Sequence, residues 1–331
     1  MAVIFASSSA YDFTGNMTEY TGAAVSRDPD YSDSEIAIAF TSSVSNPWEI
    51  PNITPSGTLI WLHMRAWFPA ESDNSGADGR WIDFYDSTGD AVGGIDCING
   101  NLRVYVQPSI TEYTGAAWSH TVETLYTLDI LMECDGVNQT CTLYVDGVQV
   151  STVTQAGTKG VTRRVDFITD DCKGISGGTP NGYFSEIIID DADSTLGCRL
   201  HQARPDSTGT YSEMSGDIGD LLYYLDSASL ASTATGERFS WNPPSYSGDL
   251  SNPSVRAVIG SVSFIGGSSG PPTLEQFLRV GGTDYYGDKH VGIASGVTNA
   301  QYTWALDPSD SLAWDIGDMG SFEVGVRSNT V

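Results

Sequence analysis

Alternating apolar and polar positions run through most of this chain. From Leu59 to Phe68 (LIWLHMRAWF), Ile60, Leu62, Met64, Ala66 and Phe68 share one face and Leu59, Trp61, His63, Arg65 and Trp67 the other, which predicts a strand with one wholly apolar side. Trp81 to Tyr85 reads as a short strand closed by Asp86-Ser87-Thr88-Gly89-Asp90, and Gly94 to Val106 as a hairpin around Asn99-Gly100. In CTLYVDGVQV (141–150), Asp146-Gly147 suits the positive φ angles of a type I′ turn. That turn predicts Val145 opposite Val148 and Leu143 opposite Val150, with Cys141 on their face. The strand before it places Leu128, Ile130, Met132 and Cys134 on one face, so Cys134 and Cys141 are expected in a common core, as two buried thiols or as a cross-strand disulfide.

The segment Phe184 to Met214 (FSEIIIDDADSTLGCRLHQARPDSTGTYSEM) joins four features in order. An apolar run, Ile187 to Ile189, suits a strand covered on both faces. Asp190, Asp191, Asp193, Ser194 and Gly197 break it into a turn, and Leu196, Cys198 and Leu200 alternate as a half-buried strand. Pro205 then favours an extended exit, which reads as a domain boundary. Residues 204 to 250 are rich in Ser, Gly, Asp, Thr and Pro with one apolar island, Leu221 to Leu225, and predict a connector with one edge strand. Strand patterns resume from Val255, with a hairpin at Gly281-Gly282 or Thr283-Asp284, and Asp310 or Ser311 is expected to cap a short helical turn running through Asp318.

Four of these units (TLIWLHMRAWFP, WIDFYDSTGD with its hairpin, LYVDGVQV and FSEIIIDDADSTLGCRL) stand in the order that resembles the concanavalin-like, LamG-type jelly-roll domain of tailed-bacteriophage structural proteins, over residues 1 to 203. The RVGGTDYYG hairpin and the DP…AW…FEVGV end resemble the small β-sandwich that follows it; Cys198 and the Ser-rich connector depart from that pattern. The resemblance implies an all-β chain with three parts: a jelly roll (1–203), a connector (204–250) and a smaller C-terminal β-sandwich (251–331). It further implies a structural or decoration subunit of the virion, in head, neck or tail, with other virion proteins as partners, homo-oligomeric and assembled in the host cytoplasm. A tail-fibre adhesin that holds host-surface glycans is the alternative.

Composition narrows the chemistry. The 331 residues carry 42 acidic and 15 basic side chains, a net charge of -27 that repels phosphate backbones, so no nucleic-acid partner is expected. No stretch approaches the roughly 20 apolar residues of a membrane span, and Met1 to Phe5 lacks a basic, apolar leader. The five cysteines, 97, 134, 141, 172 and 198, are odd in number and lack paired zinc spacing.

Carboxylates four apart on one strand, Asp129 with Glu133 and Glu186 with Asp190, stand roughly 13 Å apart by strand rise. That exceeds the roughly 5 to 9.5 Å that glycoside hydrolysis uses, so no enzyme and no catalytic residue is expected, although a cross-strand pair has the reach. Asp28, Asp30 and Asp33 form one candidate Ca²⁺ loop and Asp170, Asp171, Asp190, Asp191 and Asp193 another, although solvated turns are the preferred reading of both. TEYTGAA occurs at 18–24 and 111–117. Tyr20, Tyr113, Trp48 and Trp118 are the candidate glycan or partner contacts.

Overall fold

The computed structural model describes residues 3–7, 38–40, 48–50, 52–67, 78–98, 101–121, 124–167, 182–200, 205–218, 230–244, 254–265, 273–292 and 297–329. The chain is all-β and divides into two compact units, Met1–His201 and Gln202–Val331. No described helix is long and apolar enough to cross a membrane.

The first unit holds β1 (Val3–Ser7), β2 (Ile38–Phe40), β3 (Trp48–Ile50), β4 (Leu59–Trp67), β5 (Asp78–Tyr85), β6 (Ala91–Ile98), β7 (Asn101–Val106), β8 (Tyr113–Thr114), β9 (Trp118–Ser119), β10 (Leu125–Cys134), β11 (Asn138–Val145), β12 (Val148–Ala156), β13 (Arg164–Phe167) and β14 (Gly182–Asp190). One sheet runs β1-β14-β4-β10-β11-β12 with β2 on β14; the other runs β3-β13-β5-β6-β7-β8 with β9 on β7. Each inner face supplies alternate residues to one core: Ile60, Leu62, Met64, Leu128, Ile130 and Leu143 from the first sheet, Phe84, Ile95, Val104, Val165 and Phe167 from the second. Aligned sheets with interdigitating inner faces make a sandwich of jelly-roll type.

One register differs from the expected one, and a second pairing is interrupted by a bulge. Asp146 and Gly147 both have positive φ and Val145 pairs with Val148, but a bulge after Leu143 sets it opposite Ser151 instead of Val150. The bulge turns Ser151 inward, where its hydroxyl donates to Ala116 O at 2.6 Å and accepts from Val104 N. In β14, pairing with β4 jumps between Ser185 and Ile188, and Glu186 takes φ 53° in the interruption. Ile187 and Ile189 therefore face the core, whereas Ile188 is buried opposite His63 on the outer side.

Of the two arrangements expected for Cys134 and Cys141, the structure shows the pair of buried free thiols and not the disulfide. Cys141 pairs with Met132 and Cys134 with Gln139, so the sulfurs are diagonal neighbours. Each has its own contact: Gln139 Nε2 lies 3.9 Å from Cys134 Sγ, and Cys141 Sγ donates to Gly94 O at 3.6 Å.

The second unit contains β15 (Ser207–Ser212), β16 (Arg238–Asn242), β17 (Val258–Ile265), β18 (Thr273–Val280), β19 (Thr283–Val291), β20 (Val297–Trp304) and β21 (Phe322–Asn329). A five-stranded sheet, β15-β16-β21-β18-β19, packs Phe239, Val326 and Leu274 with Val262 of the β17-β20 pair. The segment expected to be a connector thus contributes β15 and β16 to this sheet; Leu221 to Leu225 lies outside the described residues. The 3-10 turn Ile316–Asp318 is capped by Asp315, not by Asp310 or Ser311. Asp315 accepts Gly317 N, and the Asp318 side chain returns to Asp315 N at 2.8 Å. Asp310 instead accepts Leu312 N in the preceding turn.

Candidate functional site

Strand register gathers polar side chains on the outer face of the second sheet. Across β3, β13, β5, β6 and β7 one row reads Glu49, Asp166, Asp83, Gly94, Tyr105; the next reads Arg80, Asp96, Arg103. Alternation puts these residues outward because Val165, Phe84, Ile95 and Val104 must enter the core. Asp83, Asp96 and Asp166 are nonetheless only 2–4% exposed, because arginine and tyrosine side chains lie over them.

Asp83 is the hub. Its Oδ1 accepts the Tyr105 hydroxyl and Arg80 Nη1 (3.3 Å), and its Oδ2 accepts the Tyr85 hydroxyl at 3.0 Å. The Arg80 guanidinium lies 3.8 Å above the Tyr105 ring, donates to Glu112 Oε2 at 2.6 Å and stands 3.6 Å from Asp96 Oδ1. Arg103 Nη2 donates to Asp96 Oδ2 at 3.4 Å. Arg164 stacks over Tyr85 at 4.2 Å with its Nε 2.8 Å from Asp166 Oδ1, an ion-pair contact without hydrogen-bond alignment. Gly94 is required beneath Tyr105: a Cβ there would stand 2.9 Å from Tyr105 Cε1 and overlap the Ile82 carbonyl.

Burial pushes the Asp83 carboxyl up despite Arg80. It lifts Asp166 to about 7, against Arg164 and helped by Glu49 and Asp83. Asp96 also rises to about 7, through burial and then its hydrogen bond and repulsion with Glu112. Burial alone would lower Arg80, but Tyr105, Asp83, Glu112 and Asp96 together raise it. The face therefore has a floor of carboxyls, of which Asp96 and Asp166 take up protons near neutrality, and a rim of Arg80, Arg103, Arg164 and Glu112, whose side chains are 25–33% exposed.

The residues expected at a site fall elsewhere, or at its edge. Tyr113, exposed, lies in β8 next to Glu112 and pairs with Val106 at the margin of this sheet. Trp118 lies in β9, not in a loop, and packs edge-on against Tyr126 at 5.1 Å beside the core. Trp48 lies in β3 opposite Phe167, and Tyr20 lies outside the described residues.

Asp190 Oδ1 accepts Ala192 N and Asp193 N, while Asp191 Oδ2 accepts Ser56 N, so these acids serve as turn caps. Among the described residues no three acidic, histidine or cysteine side chains gather in a metal-holding group; Asp28, Asp30, Asp33, Asp170 and Asp171 lie outside them. Asp129 and Glu186 are buried on the outer face of the first sheet. His63 Nδ1 lies 2.8 Å from Asp129 Oδ1, which also accepts the Thr195 hydroxyl, and Arg199 clamps Glu186, so the segment after β14 is fastened over that face.

The Asp83 lattice escaped the sequence reading because Arg80, Asp83, Asp96, Arg103 and Tyr105 sit at alternate positions that look like an ordinary solvated strand face. The available signal was that they are Asp, Arg and Tyr on adjoining hairpin strands, where Ser, Thr and Lys are the usual surface choices.

No family model and no curated protein matches the chain by sequence. Among solved structures it is similar to the botulinum neurotoxin type G receptor-binding domain, with 9% identity and TM-score 0.36 over 65% of this chain; it spans 56% of that domain's length. A second match, titled for the dependence of botulinum neurotoxin type C cell entry on two ganglioside molecules, has 8% identity and TM-score 0.39 over 89% of this chain and 90% of that one. A third is the Caenorhabditis elegans galectin LEC-6, with 15% identity and TM-score 0.29 over 46% and 94%.

Proposed function

We propose that the first unit is a glycan-binding module, using the outer face of its second sheet to attach the particle or cell that carries it to a sugar-coated surface. The observation that carries this reading is the Asp83 lattice. Sugar hydroxyls both donate and accept, and vicinal pairs of them match the paired donors of a guanidinium and the paired acceptors of a carboxylate. Arg103, Arg164 and Glu112 present such groups in fixed positions, because Arg164 stacks on Tyr85, Arg103 bonds to buried Asp96, and Arg80, its own nitrogens committed to Asp83, Asp96 and Glu112, holds Glu112 in place. Side chains ordered in advance lose little entropy on binding.

The face is read as binding without turnover, since both oxygens of Asp83 are occupied by donors from its own sheet. Placement on a tailed-phage particle rests on the LamG-like segments of the sequence alone. The same segments support a second reading, a purely structural virion subunit. A glycan array separates the two: the adhesin reading expects saturable binding that Arg103→Ala with Glu112→Ala removes, with no reducing sugar released. No hit on the array, or hits that the double variant leaves intact, overturns it.

A further inference from the structure

The five-stranded sheet of the second unit repeats this chemistry on its own outer face. Asp284 is the hub there. Its Oδ2 accepts the hydroxyls of Tyr211 (3.0 Å) and Tyr286 (3.3 Å) and Arg238 Nη1 (3.2 Å), while Oδ1 accepts Arg279 Nη1 at 2.6 Å. The Arg238 guanidinium lies 3.6 Å above the Tyr211 ring, as Arg80 lies 3.8 Å above Tyr105, and in both cases the arginine and the tyrosine hydroxyl reach the same aspartate. Arg327 stacks over Tyr286 at 3.7 Å and pairs with Glu275, and Arg279 stands 3.9 Å from Glu323.

The floor is aromatic and tightly set. Phe277 is fully buried above Gly325, where any Cβ would strike its ring, and meets Tyr211 and Tyr286 at 5.9 and 5.5 Å. The rim stays accessible, with Arg238 and Arg327 side chains each 28% exposed. Four basic groups, Arg238, Arg279, Arg327 and Lys289, face four acidic ones, Glu213, Asp284, Glu323 and Glu275. That balance offers dense donors and acceptors with little net charge, which suits a neutral polyhydroxylated ligand better than a polyanion or polycation.

We infer that the outer face of the five-stranded sheet, centred on Tyr211, Arg238, Arg279 and Asp284, is a second site for neutral glycans, so that each chain is bivalent. The ligand class rests on the reading of the first unit; the geometry does not. Two linked weak sites strengthen retention on a repeating polymer well beyond either alone.

The test is native gel electrophoresis of the full chain through gels containing galactan, mannan or mixed-linkage β-glucan. It compares wild type, a first-face variant (Arg103→Ala with Glu112→Ala), a second-face variant (Arg279→Ala with Glu213→Gln) and their combination, each checked for an unchanged melting transition. Arg279→Lys, which keeps the charge and loses the planar fork, replaces Arg279→Ala if that variant unfolds. Bivalency expects each single-face variant to weaken retention at least tenfold and the combination to abolish it. Wild-type retention by the second-face variant, with loss in the first-face variant, overturns the second site and leaves the first. The converse pattern sustains the second site and overturns the first, and a wild type that no polysaccharide retards overturns both.

Discussion

Arg199 grips Glu186 with two parallel hydrogen bonds, Nε to Oε2 at 2.8 Å and Nη2 to Oε1 at 3.0 Å, and the carboxylate so held is fully buried in the bulge of β14. Leu200 N adds a third donor to Oε2. Removing the arginine strands that carboxylate, whose carboxyl burial already raises against the pull of Arg65. Arg199→Met is expected to cost about 3 kcal/mol, whereas Glu186→Met with Arg199→Met costs less because the buried carboxylate is removed together with its clamp. Urea melts of the two variants check the order; a double variant less stable than the single one contradicts it.

Asp96 and Asp166, both raised to about 7, make stability depend on pH. Unfolded aspartates lose their protons near the ordinary value of about 4, while the folded groups keep theirs up to about 7. Between these limits the folded state binds more protons, so stability is highest at the acid end of the window, falls as pH rises through it and is level above it. Asp96→Asn and Asp166→Asn are expected to flatten that fall and to raise the melting temperature at pH 8 by a few degrees. Calorimetry at pH 5 and pH 8 measures it; equal slopes in variant and wild type sink the assignment.

Gly94→Ala is expected to destabilise the first unit by about 1–3 kcal/mol, the usual penalty for overpacking, and to weaken glycan retention by pushing Tyr105 away from Asp83. Phe277 makes the matching demand on Gly325 in the second unit. A Gly94→Ala protein with wild-type melting refutes the close approach.

In native protein, Cys198, half-buried, should be alkylated before Cys134 and Cys141. Burial lifts Cys134 to about 11, and Cys141 is raised further. Thiolates, not thiols, react with alkylating reagents, so the two core sulfurs should label only on unfolding. Peptide mapping of timed iodoacetamide reactions tests this, and early labelling of either one runs against it.

Calcium addition and chelation should leave the melting temperature unchanged in so far as it depends on Asp190 and Asp191, each of which already commits one oxygen to backbone amides. A calcium-dependent rise that Asp191→Asn removes is the contrary result.

The parts of the fold readable in advance were those where local chemistry and core demand agree. The apolar face of β4 and the Asp146-Gly147 turn are set by residues a few positions apart. The bulges at Leu143 and Glu186 were invisible, because a continuous apolar run such as Ile187 to Ile189 carries no phase to betray one inserted residue. Strand β15 (STGTYS) was hidden by its Ser-, Thr- and Gly-rich sequence, since a strand at a sheet edge needs few large side chains, and β16 (RFSWN) adds an interior strand where only one edge strand was expected. Each aspartate hub has only a short local signature, a tyrosine two positions on, and its other tyrosine is remote. Asp83 meets Tyr105 from 22 positions away, and Asp284 meets Tyr211 from 73.

The position of β21 has a consequence for synthesis. This strand, Phe322–Asn329, is the middle rung between β16 and β18, so the five-stranded sheet cannot zip together until residue 329 has cleared the ribosome. The sandwich encoded upstream has all its described strands by residue 190 and is free to form while translation continues. A chain that stopped short of β21 would therefore hold a finished front half trailing an unfolded back half, with β16 and β18 left as bare sticky edges.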